Sequence, residues 1–261
     1  MDPIEYDILE DRATITIHNP DLRNALTLET AEGLTDALDD IEDSDVRCVI
    51  LQGSEGTFCA GGDVSAMTEM LGGSVSLADG VKNIQLETND VMRRISEFHL
   101  PTIAKVDGVA FGAGANLAIA ADITLASSDA KICFGFRQVG LAIDTGTSYF
   151  LPRQVGLSKA KELVLTGELL DAEEAEDLGL FNHVFEEDFE AQVSEFIEPI
   201  ATGPTVALRT SKQLIEQGFE TSLGDALTNE AASQAAVFDS HDHEEGATAF
   251  MEGREPEFEG R

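Results

Sequence analysis

Basic residues are scarce in this sequence of 261 residues. It contains 16 lysines and arginines against 50 aspartates and glutamates, which gives a formal net charge of −34. A surface this acidic repels nucleic-acid phosphates and anionic lipid headgroups, and the only adjacent basic pair is Arg93-Arg94. The charge therefore argues against nucleic-acid and membrane-surface partners.

Cysteines are few, and long apolar runs are absent. Cys48, Cys59 and Cys133 form no CxxC pair and are odd in number, so the sequence indicates neither a disulfide framework nor a metal site. The acidic N-terminal stretch lacks the basic and apolar regions of a signal peptide, and no apolar run reaches the roughly 18 residues of a membrane span. We therefore expect a cytoplasmic protein.

Apolar residues are nevertheless abundant enough for a globular core. They make up 43% of the chain and include 14 phenylalanines, which is too apolar for a disordered acidic chain. The acidic excess, with only six lysines, is typical of a protein that stays soluble in concentrated salt. We expect a halophilic origin.

The hydrophobic pattern predicts an α/β fold. Residues 4–9 and 13–18 have the pattern of a hairpin, Thr27 precedes an amphipathic helix, and strands are predicted at 48–51, 102–106, 123–126 and 131–133. A long helix is predicted over residues 79–98, and from residue 158 the pattern is mainly helical, with one strand at 181–185. We expect a core over residues 1–200, followed by a helical region over 201–261.

Three glycine-containing turns follow predicted strands, at residues 58–63, 108–114 and 140–146. Small residues leave backbone N–H groups accessible, and such groups can stabilise a ligand oxygen that gains negative charge. Taken singly, each turn is as well explained by tight packing. No Gly-Lys-Ser/Thr follows these glycines, which excludes a nucleoside-triphosphate loop, and Leu117 stands where a dinucleotide fold needs its third glycine.

In combination, the motifs resemble the crotonase superfamily, also called the enoyl-CoA hydratase/isomerase family, from about residue 4 to residue 260. The resemblance rests on residues 23–26, 58–67, 107–121, 140–156 and the ending at 245–258. It implies a spiral of ββα units, a helical trimerisation region that also closes the acyl-CoA pocket, and a homotrimer or a dimer of trimers. It further implies an acyl-CoA thioester substrate, with coenzyme A as part of that substrate and no separate cofactor.

The family's enolate is held by two backbone N–H groups, which the resemblance assigns to Ala60 and Ala113. Members usually carry glycine at the second position, and Ala113 still offers its N–H. The resemblance also implies a set of substrate-binding residues: Arg23, Gly61, Gly62, Asp63, Gly112, Asn116, Phe136, Phe250 and Arg254. Among these, Arg254 stands beside Gly253, where the family has a lysine that binds coenzyme A.

The acid/base positions indicate the reaction. Hydratases of this superfamily use two glutamates, but this sequence has Asn116 and Phe136 at the matching positions, and neither side chain can take a proton at neutral pH. The segment around Asp144 resembles the ring-1,2-epoxyphenylacetyl-CoA isomerase branch, whose matching aspartate is the acid/base. One carboxylate suffices to move a proton between two carbons, so we expect an isomerase.

Two other functions remain open on the sequence. A hydratase could activate water through Asp144 alone, and a non-enzymatic relative could bind acyl-CoA without converting it. An RNA-binding relative conflicts with the net charge of −34. Product formation separates these functions, because hydration of crotonyl-CoA removes conjugated absorbance, isomerisation of a 3-enoyl-CoA creates it, and a binding protein does neither.

The net charge also predicts a salt dependence. Coenzyme A is anionic, so a protein with a net charge of −34 repels it over long range unless salt screens the interaction. The apparent KM for an acyl-CoA is expected to fall as KCl rises toward about 1 M, where the Debye length is about 3 Å. Steady-state kinetics across a KCl series measures this, and a KM that stays flat or rises contradicts the screening argument.

Overall fold

A computed structural model of the protein describes residues 2–63, 68, 72–73 and 76–261. Residues 64–67, which end the motif at 58–67, lie outside the described residues. No helix in the described ranges is both long enough and apolar enough to cross a membrane.

A six-stranded sheet forms the larger layer. Its strands are β1 (Ile4–Leu9), β2 (Arg12–Ile17), β3 (Cys48–Gly53), β5 (Thr102–Val106), β7 (Ile123–Ser127) and β10 (His183–Phe185), in the order β1-β2-β3-β5-β7-β10. β1 and β2 pair antiparallel, which confirms the predicted hairpin, and every later pair in this sheet is parallel.

A four-stranded sheet forms the smaller layer. It contains β4 (Thr57–Cys59), β6 (Val109–Phe111), β8 (Lys131–Cys133) and β9 (Leu170–Asp171), in the order β4-β6-β8-β9. The successive pairs β3–β4, β5–β6 and β7–β8 each place one strand in the larger sheet and the next in the smaller. This repetition confirms the predicted α/β class and stacks the loops after β4 and β6 beside each other.

The helices connect and cover these sheets. They are α1 (Leu28–Glu42), α2 (Leu77–Asn83), α3 (Asn89–Ser96), α4 (Ala113–Ile119), α5 (Thr147–Thr166), α6 (Ala172–Asp177), α7 (Phe189–Ala201), α8 (Thr205–Gly218), α9 (Leu223–Phe238) and α10 (His241–Glu252). Thr27 caps α1 as predicted, because its side-chain oxygen accepts the N–H of Thr30 at 3.1 Å.

The central strands of the larger sheet, β3, β5 and β7, are buried on both faces. On one face the strands join the main hydrophobic core, to which α1 contributes Leu34, Leu38 and Ile41. On the other face, Ile50 and Ile103 belong to a smaller cluster with Ile197 of α7. Strands buried on both faces have continuous apolar runs, which explains why β3 was recognisable from its sequence alone.

Two predicted helices differ from the observed ones. The single helix predicted over residues 79–98 is interrupted by a π-helical segment, Ile84–Thr88, between α2 and α3. The helical pattern predicted from residue 158 begins inside α5, which starts at Thr147 and continues past Pro152 and a break at Gly156 (φ +77°, ψ 160°). The sequence did not predict the first part of α5, because proline and glycine are both typical of helix ends.

Main chain packs directly on main chain at two places, in the first turn of α4 and just before β6. A Cβ atom placed on Gly114 would lie 2.1 Å from the carbonyl oxygen of Cys59, and one on Gly108 would lie 1.9 Å from that of Gly56. Side chains are therefore excluded at both positions. The contact at Gly114 holds the loop after β4 against the first turn of α4.

Gly114→Ala is expected to destabilise the protein, because the added methyl group would overlap backbone atoms that cannot rotate away. Overpacking of this kind costs about 1–3 kcal/mol. Gly218→Ala is the matched control, since nothing lies within 4 Å of a Cβ atom on Gly218. Thermal unfolding of both variants measures the effect, and an unchanged Tm in Gly114→Ala would show that the loops can separate without cost.

Candidate active site

Two loops, one after β4 and one after β6, meet at the beginning of α4. Gly61 has φ +102°, and a Cβ atom on it would lie 2.8 Å from the carbonyl oxygen of Phe111 and 3.9 Å from the nitrogen of Ala113. Gly112 has φ +55° and donates its N–H to the carbonyl oxygen of Cys133 at 2.8 Å, which holds the second loop on β8. Three of the predicted site residues, Gly61, Gly112 and Ala113, are thus brought together.

Ala113 supplies an available backbone donor. It is the first residue of α4, so its N–H has no acceptor within the helix. Its side chain is a methyl group, so a polar contact from this residue to a ligand would come from the peptide group. The predicted role of Ala113 is compatible with this position.

The expectation for Ala60 needs correction. Its N–H donates to the carbonyl oxygen of Arg23 at 3.1 Å and is therefore engaged within the protein. The carbonyl oxygen of Gly61 accepts the N–H of Leu26 at 2.7 Å, and in a trans peptide the following N–H, that of Gly62, points to the opposite side. The Gly62 N–H is thus directed away from Leu26, whereas the Ala60 N–H is bonded to Arg23.

Asp144 lies in the loop before α5, with its carboxylate partly buried. Burial raises the pKa of this carboxyl above its ordinary value, and a hydrogen bond from the Thr145 hydroxyl to Oδ1, at 3.2 Å, partly offsets the rise. No basic group of the described residues forms an ion pair with it within 4.0 Å. The carboxylate is therefore a better base than an exposed aspartate.

Asn116 holds the Asp144 loop. This fully buried residue lies on α4, one turn after Ala113, and its Nδ2 is 3.1 Å from the carbonyl oxygen of Asp144. The same nitrogen is 2.7 Å from the hydroxyl oxygens of Thr145 and Thr147. Asn116 thus links the Asp144 loop to the helix that presents Ala113, and its amide is used within the protein rather than exposed for a ligand.

Sequence reasoning did not identify Thr145 and Thr147 as parts of the site. Thr145 has φ +47°, a left-handed conformation that costs a β-branched residue about 1–3 kcal/mol. A usable signal was present, because an asparagine among the alanines of an apolar helix needs buried hydrogen-bond partners. Two threonines close to Asp144 are such partners.

Phe136 and Cys59 limit the other chemistry that this region can perform. Phe136 is 7% exposed in a short 3₁₀ helix (Gly135–Val139), so the position of the second family glutamate is apolar and buried. Burial raises the pKa of the Cys59 thiol to about 11, which keeps it protonated and a poor nucleophile. Within the described ranges, no group of three His, Cys, Asp or Glu side chains is arranged to hold a metal ion.

Arg23 and Asp63 lie close to the two loops. Arg23 is in the left-handed conformation (φ +54°), its carbonyl oxygen accepts the Ala60 N–H, and its side chain is exposed. None of the ion pairs found in the described part of the chain involves its guanidinium group. Asp63 is partly buried next to Gly62.

Arg254 and Phe250 lie in the C-terminal region. Arg254 binds Glu245 through two hydrogen bonds of 2.6 and 2.8 Å and Glu252 through one of 2.8 Å. Its guanidinium group lowers the pKa of Glu245 to about 2, so this pair remains charged at neutral pH. Arg254 is thus engaged by two carboxylates, whereas Phe250 is 87% exposed.

The arrangement combines two kinds of group. Backbone N–H donors at the junction of the loops can stabilise an oxyanion, and a nearby carboxylate with a raised pKa can accept and return a proton. The first turn of α4 connects them, because it carries both Ala113 and Asn116. Such a site is suited to chemistry beside an activated carbonyl group.

Comparisons with known proteins agree with this chemistry. The sequence profile described as enoyl-CoA hydratase/isomerase matches residues 10–261. A short-chain-enoyl-CoA hydratase from Clostridium acetobutylicum is 36% identical over 250 residues, which cover 94% of this chain and 93% of that protein. The 1,2-epoxyphenylacetyl-CoA isomerase from Escherichia coli is 33% identical over 251 residues, which cover 95% of each protein.

A solved structure shows the same fold. The crystal structure of an enoyl-CoA hydratase/isomerase from Cupriavidus metallidurans has a TM-score of 0.91 and 31% identity, and the match covers all of this chain and 97% of that one. The two relatives above are thus named as a hydratase and as an isomerase, and each match runs over nearly the whole length of that relative. The chain therefore belongs to the enoyl-CoA hydratase/isomerase family of acyl-CoA enzymes.

Proposed function

We propose that this protein is an enoyl-CoA isomerase in which Asp144 is the acid/base that moves the proton. The observation that carries the proposal is the kind of side chain found at the two positions where hydratases of the family have glutamates. An amide side chain, Asn116, occupies the first position, and an apolar one, Phe136, occupies the second. Asn116 is buried and bound to the Asp144 loop, and Phe136 is buried, so neither residue can activate water. The proton is therefore assigned to Asp144, whose partly buried carboxyl group has a raised pKa.

The proposed reaction moves one proton along a 3-enoyl thioester. Asp144 accepts a proton from C2, the C2–H bond breaks, and the electrons delocalise over the thioester oxygen and the double bond. The protonated Asp144 then donates the proton to C4, so the double bond moves from C3–C4 to C2–C3. The same groups could serve a ring-epoxide thioester, as the isomerase relative from Escherichia coli suggests.

The oxyanion of the enolate would be stabilised by the N–H groups of Gly62 and Ala113. Support comes from the direction of the Gly62 N–H, which points away from the Gly61 carbonyl group that is bonded to Leu26. Further support comes from Ala113, which is the first residue of α4. A single donor of this kind is typically worth about 2.7–4 kcal/mol of transition-state stabilisation. Ala60 is not included, because its N–H is bonded to Arg23.

The raised pKa of Asp144 has a defined consequence for the dependence on pH. The base must be ionised, so activity falls as pH decreases through the raised pKa. Its ionised form is desolvated in the folded state, so ionisation reduces stability as pH rises through that pKa. Asp144→Asn is therefore expected to keep its stability at neutral pH.

The coenzyme A moiety would be bound by Arg23, whose exposed guanidinium group is free of ion pairs within the described residues. Binding by Arg254 would require it to release Glu245 and Glu252. We place Arg254 in the packing of the C-terminal segment instead, because Glu245 also accepts the N–H of Glu257 at 2.8 Å.

Residues 201–261 are proposed to mediate self-association into a homotrimer or a dimer of trimers and to close the acyl-CoA pocket. The support is the exposure of large apolar side chains on this region. Phe219 is 70% exposed, Leu223 is 76% exposed, and Phe250 is 87% exposed. Burial of such side chains against another copy would remove a large apolar area from water.

A hydratase is the second candidate, because the relative from Clostridium acetobutylicum carries that name. It would require Asp144 to activate water and also to protonate C2. The test is turnover of 3-hexenoyl-CoA and crotonyl-CoA by the wild type and by Asp144→Asn, in about 2–3 M KCl to screen charge. Absorbance of the conjugated thioester rises in isomerisation and falls in hydration.

The proposal predicts faster turnover of 3-hexenoyl-CoA and a loss of about 10²–10⁴-fold in kcat for Asp144→Asn, the range typical of a general base. Asp129→Asn, at an exposed turn between β7 and β8, is the matched control and should retain full activity. Dominant hydration that is lost in Asp144→Asn supports the hydratase, whereas dominant hydration that survives the substitution contradicts the assignment of Asp144 as the acid/base in either reaction.

A further inference from the structure

Three hydrogen-bonding side chains form a chain that ends on the Asp144 carboxylate. Asn116 Nδ2 is 2.7 Å from the Thr145 hydroxyl oxygen, and that oxygen is 3.2 Å from Asp144 Oδ1. Asn116 is fully buried and Thr145 is 5% exposed, so water does not substitute readily for either group. This chain is separate from the backbone donors of the oxyanion site.

The direction of the hydrogen bonds follows from the chemistry of the partners. The Asp144 carbonyl oxygen, 3.1 Å from the end of the Asn116 side chain, can only accept, so the Asn116 atom that faces it must be nitrogen. That nitrogen is also the atom nearest to the Thr145 oxygen, to which it donates. Because the Thr145 oxygen already accepts this bond, its single hydrogen is left to point at the Asp144 carboxylate.

Thr147 completes the restraint on the main chain. Its hydroxyl oxygen lies 2.9 Å from the carbonyl oxygen of Asp144 and 3.0 Å from Oδ1 of Asn116. The Thr147 N–H also donates to the carbonyl oxygen of Asp144, at 3.0 Å. The backbone of Asp144 is thus held by donors from α4 and from the first residue of α5.

Thr145 occupies a conformation that its neighbours must maintain. A φ of +47° is unfavourable for a β-branched residue, and the following Gly146 is also left-handed, at φ +86°. Strained residues of this kind persist only where the surrounding structure determines them. The bond from Asn116 is the contact that keeps the Thr145 hydroxyl directed at Asp144.

We propose that Asn116 and Thr145 are positioning residues for Asp144. The Asn116 amide orients the Thr145 hydroxyl so that it donates to the Asp144 carboxylate, and this hydrogen bond sets the orientation and the basicity of that carboxylate. This inference rests on the proposed function, because it assumes that Asp144 is the group that transfers the proton. Neither residue is placed in contact with the reacting carbons. Asn116 occupies a glutamate position of the hydratases and here acts through Thr145.

The charges around Asp144 do not obscure a test of this proposal. α4 carries no ionisable residue. In the neighbouring 3₁₀ helix, Arg137 donates to the carbonyl oxygen of Thr166 at 2.6 Å, and in α5 Arg153 lies 3.7 Å from Glu220. A change in the titration of Asp144 on loss of the Thr145 hydroxyl is thus attributable to that hydroxyl.

The test compares Thr145→Val with Thr145→Ser. Valine keeps the branched shape and removes the hydroxyl, whereas serine keeps the hydroxyl. The carboxyl titration is followed by ¹³C NMR of protein labelled at the aspartate Cγ, and the Asp144 resonance is identified by its loss in Asp144→Asn. We expect the midpoint to shift to higher pH in Thr145→Val and to stay near the wild-type value in Thr145→Ser.

Activity provides the second readout. In Thr145→Val the acid limb of the kcat/KM profile should move to higher pH in parallel with the NMR midpoint, while Thr145→Ser retains the wild-type profile. Asn116→Leu, which removes the amide at similar volume, should shift the limb in the same direction. Thermal unfolding of each variant establishes that it is folded, and the serine and valine pair decides the outcome if Asn116→Leu fails to fold.

The outcomes separate this proposal from the proposed function. An NMR midpoint that is the same in Thr145→Val and Thr145→Ser overturns the positioning role, whatever the activity. Full isomerase activity in Asp144→Asn overturns the proposed function, and the NMR titration then still decides whether Thr145 acts on the carboxylate. A fall in kcat with an unmoved acid limb in Thr145→Val indicates a merely structural role and overturns the proposal.

Discussion

The site depends on the direct packing of one backbone segment on another. The loop after β4 lies so close to the first turn of α4 that a Cβ atom on Gly114 would be 2.1 Å from the carbonyl oxygen of Cys59. This contact arises because successive strands alternate between the two sheets, which brings the loops after β4 and β6 side by side. Two peptide N–H groups can thereby be placed together without any side chain.

The second constraint is the attachment of Asp144 to the same helix. Asn116 follows Ala113 by one turn of α4, so the residue that holds the Asp144 loop and the residue that offers an N–H belong to one rigid element. In the proposed mechanism, the distance between the oxyanion and the Asp144 carboxylate is then set by this helix rather than by a flexible loop. This explains how one carboxylate could serve as base and acid at two carbons of a substrate.

Most of the fold followed from the sequence, because hydrophobic periodicity and glycine positions are local signals. β3 is a continuous apolar run, Thr27 caps α1, and the glycines of the loops mark positions where side chains do not fit. Pro152 and Gly156 concealed the beginning of α5, because a helix that contains both residues depends on its tertiary environment.

The finer features of the site depend on contacts between distant parts of the chain. Whether Ala60 or Gly62 offers its N–H is decided by the bond from Ala60 to the carbonyl oxygen of Arg23, 37 residues earlier. The left-handed conformation of Thr145 likewise accompanies a contact with Asn116, 29 residues earlier. No pattern of neighbouring residues encodes them.

The central claim is that one shielded carboxylate carries a proton from C2 to C4 of a thioester. The most direct test uses a 3-enoyl-CoA that carries deuterium at C2, converted in ordinary water, with the product analysed by mass spectrometry. The account predicts a 2-enoyl-CoA with deuterium at C4. A 3-hydroxyacyl-CoA, formed by addition of water, would contradict it.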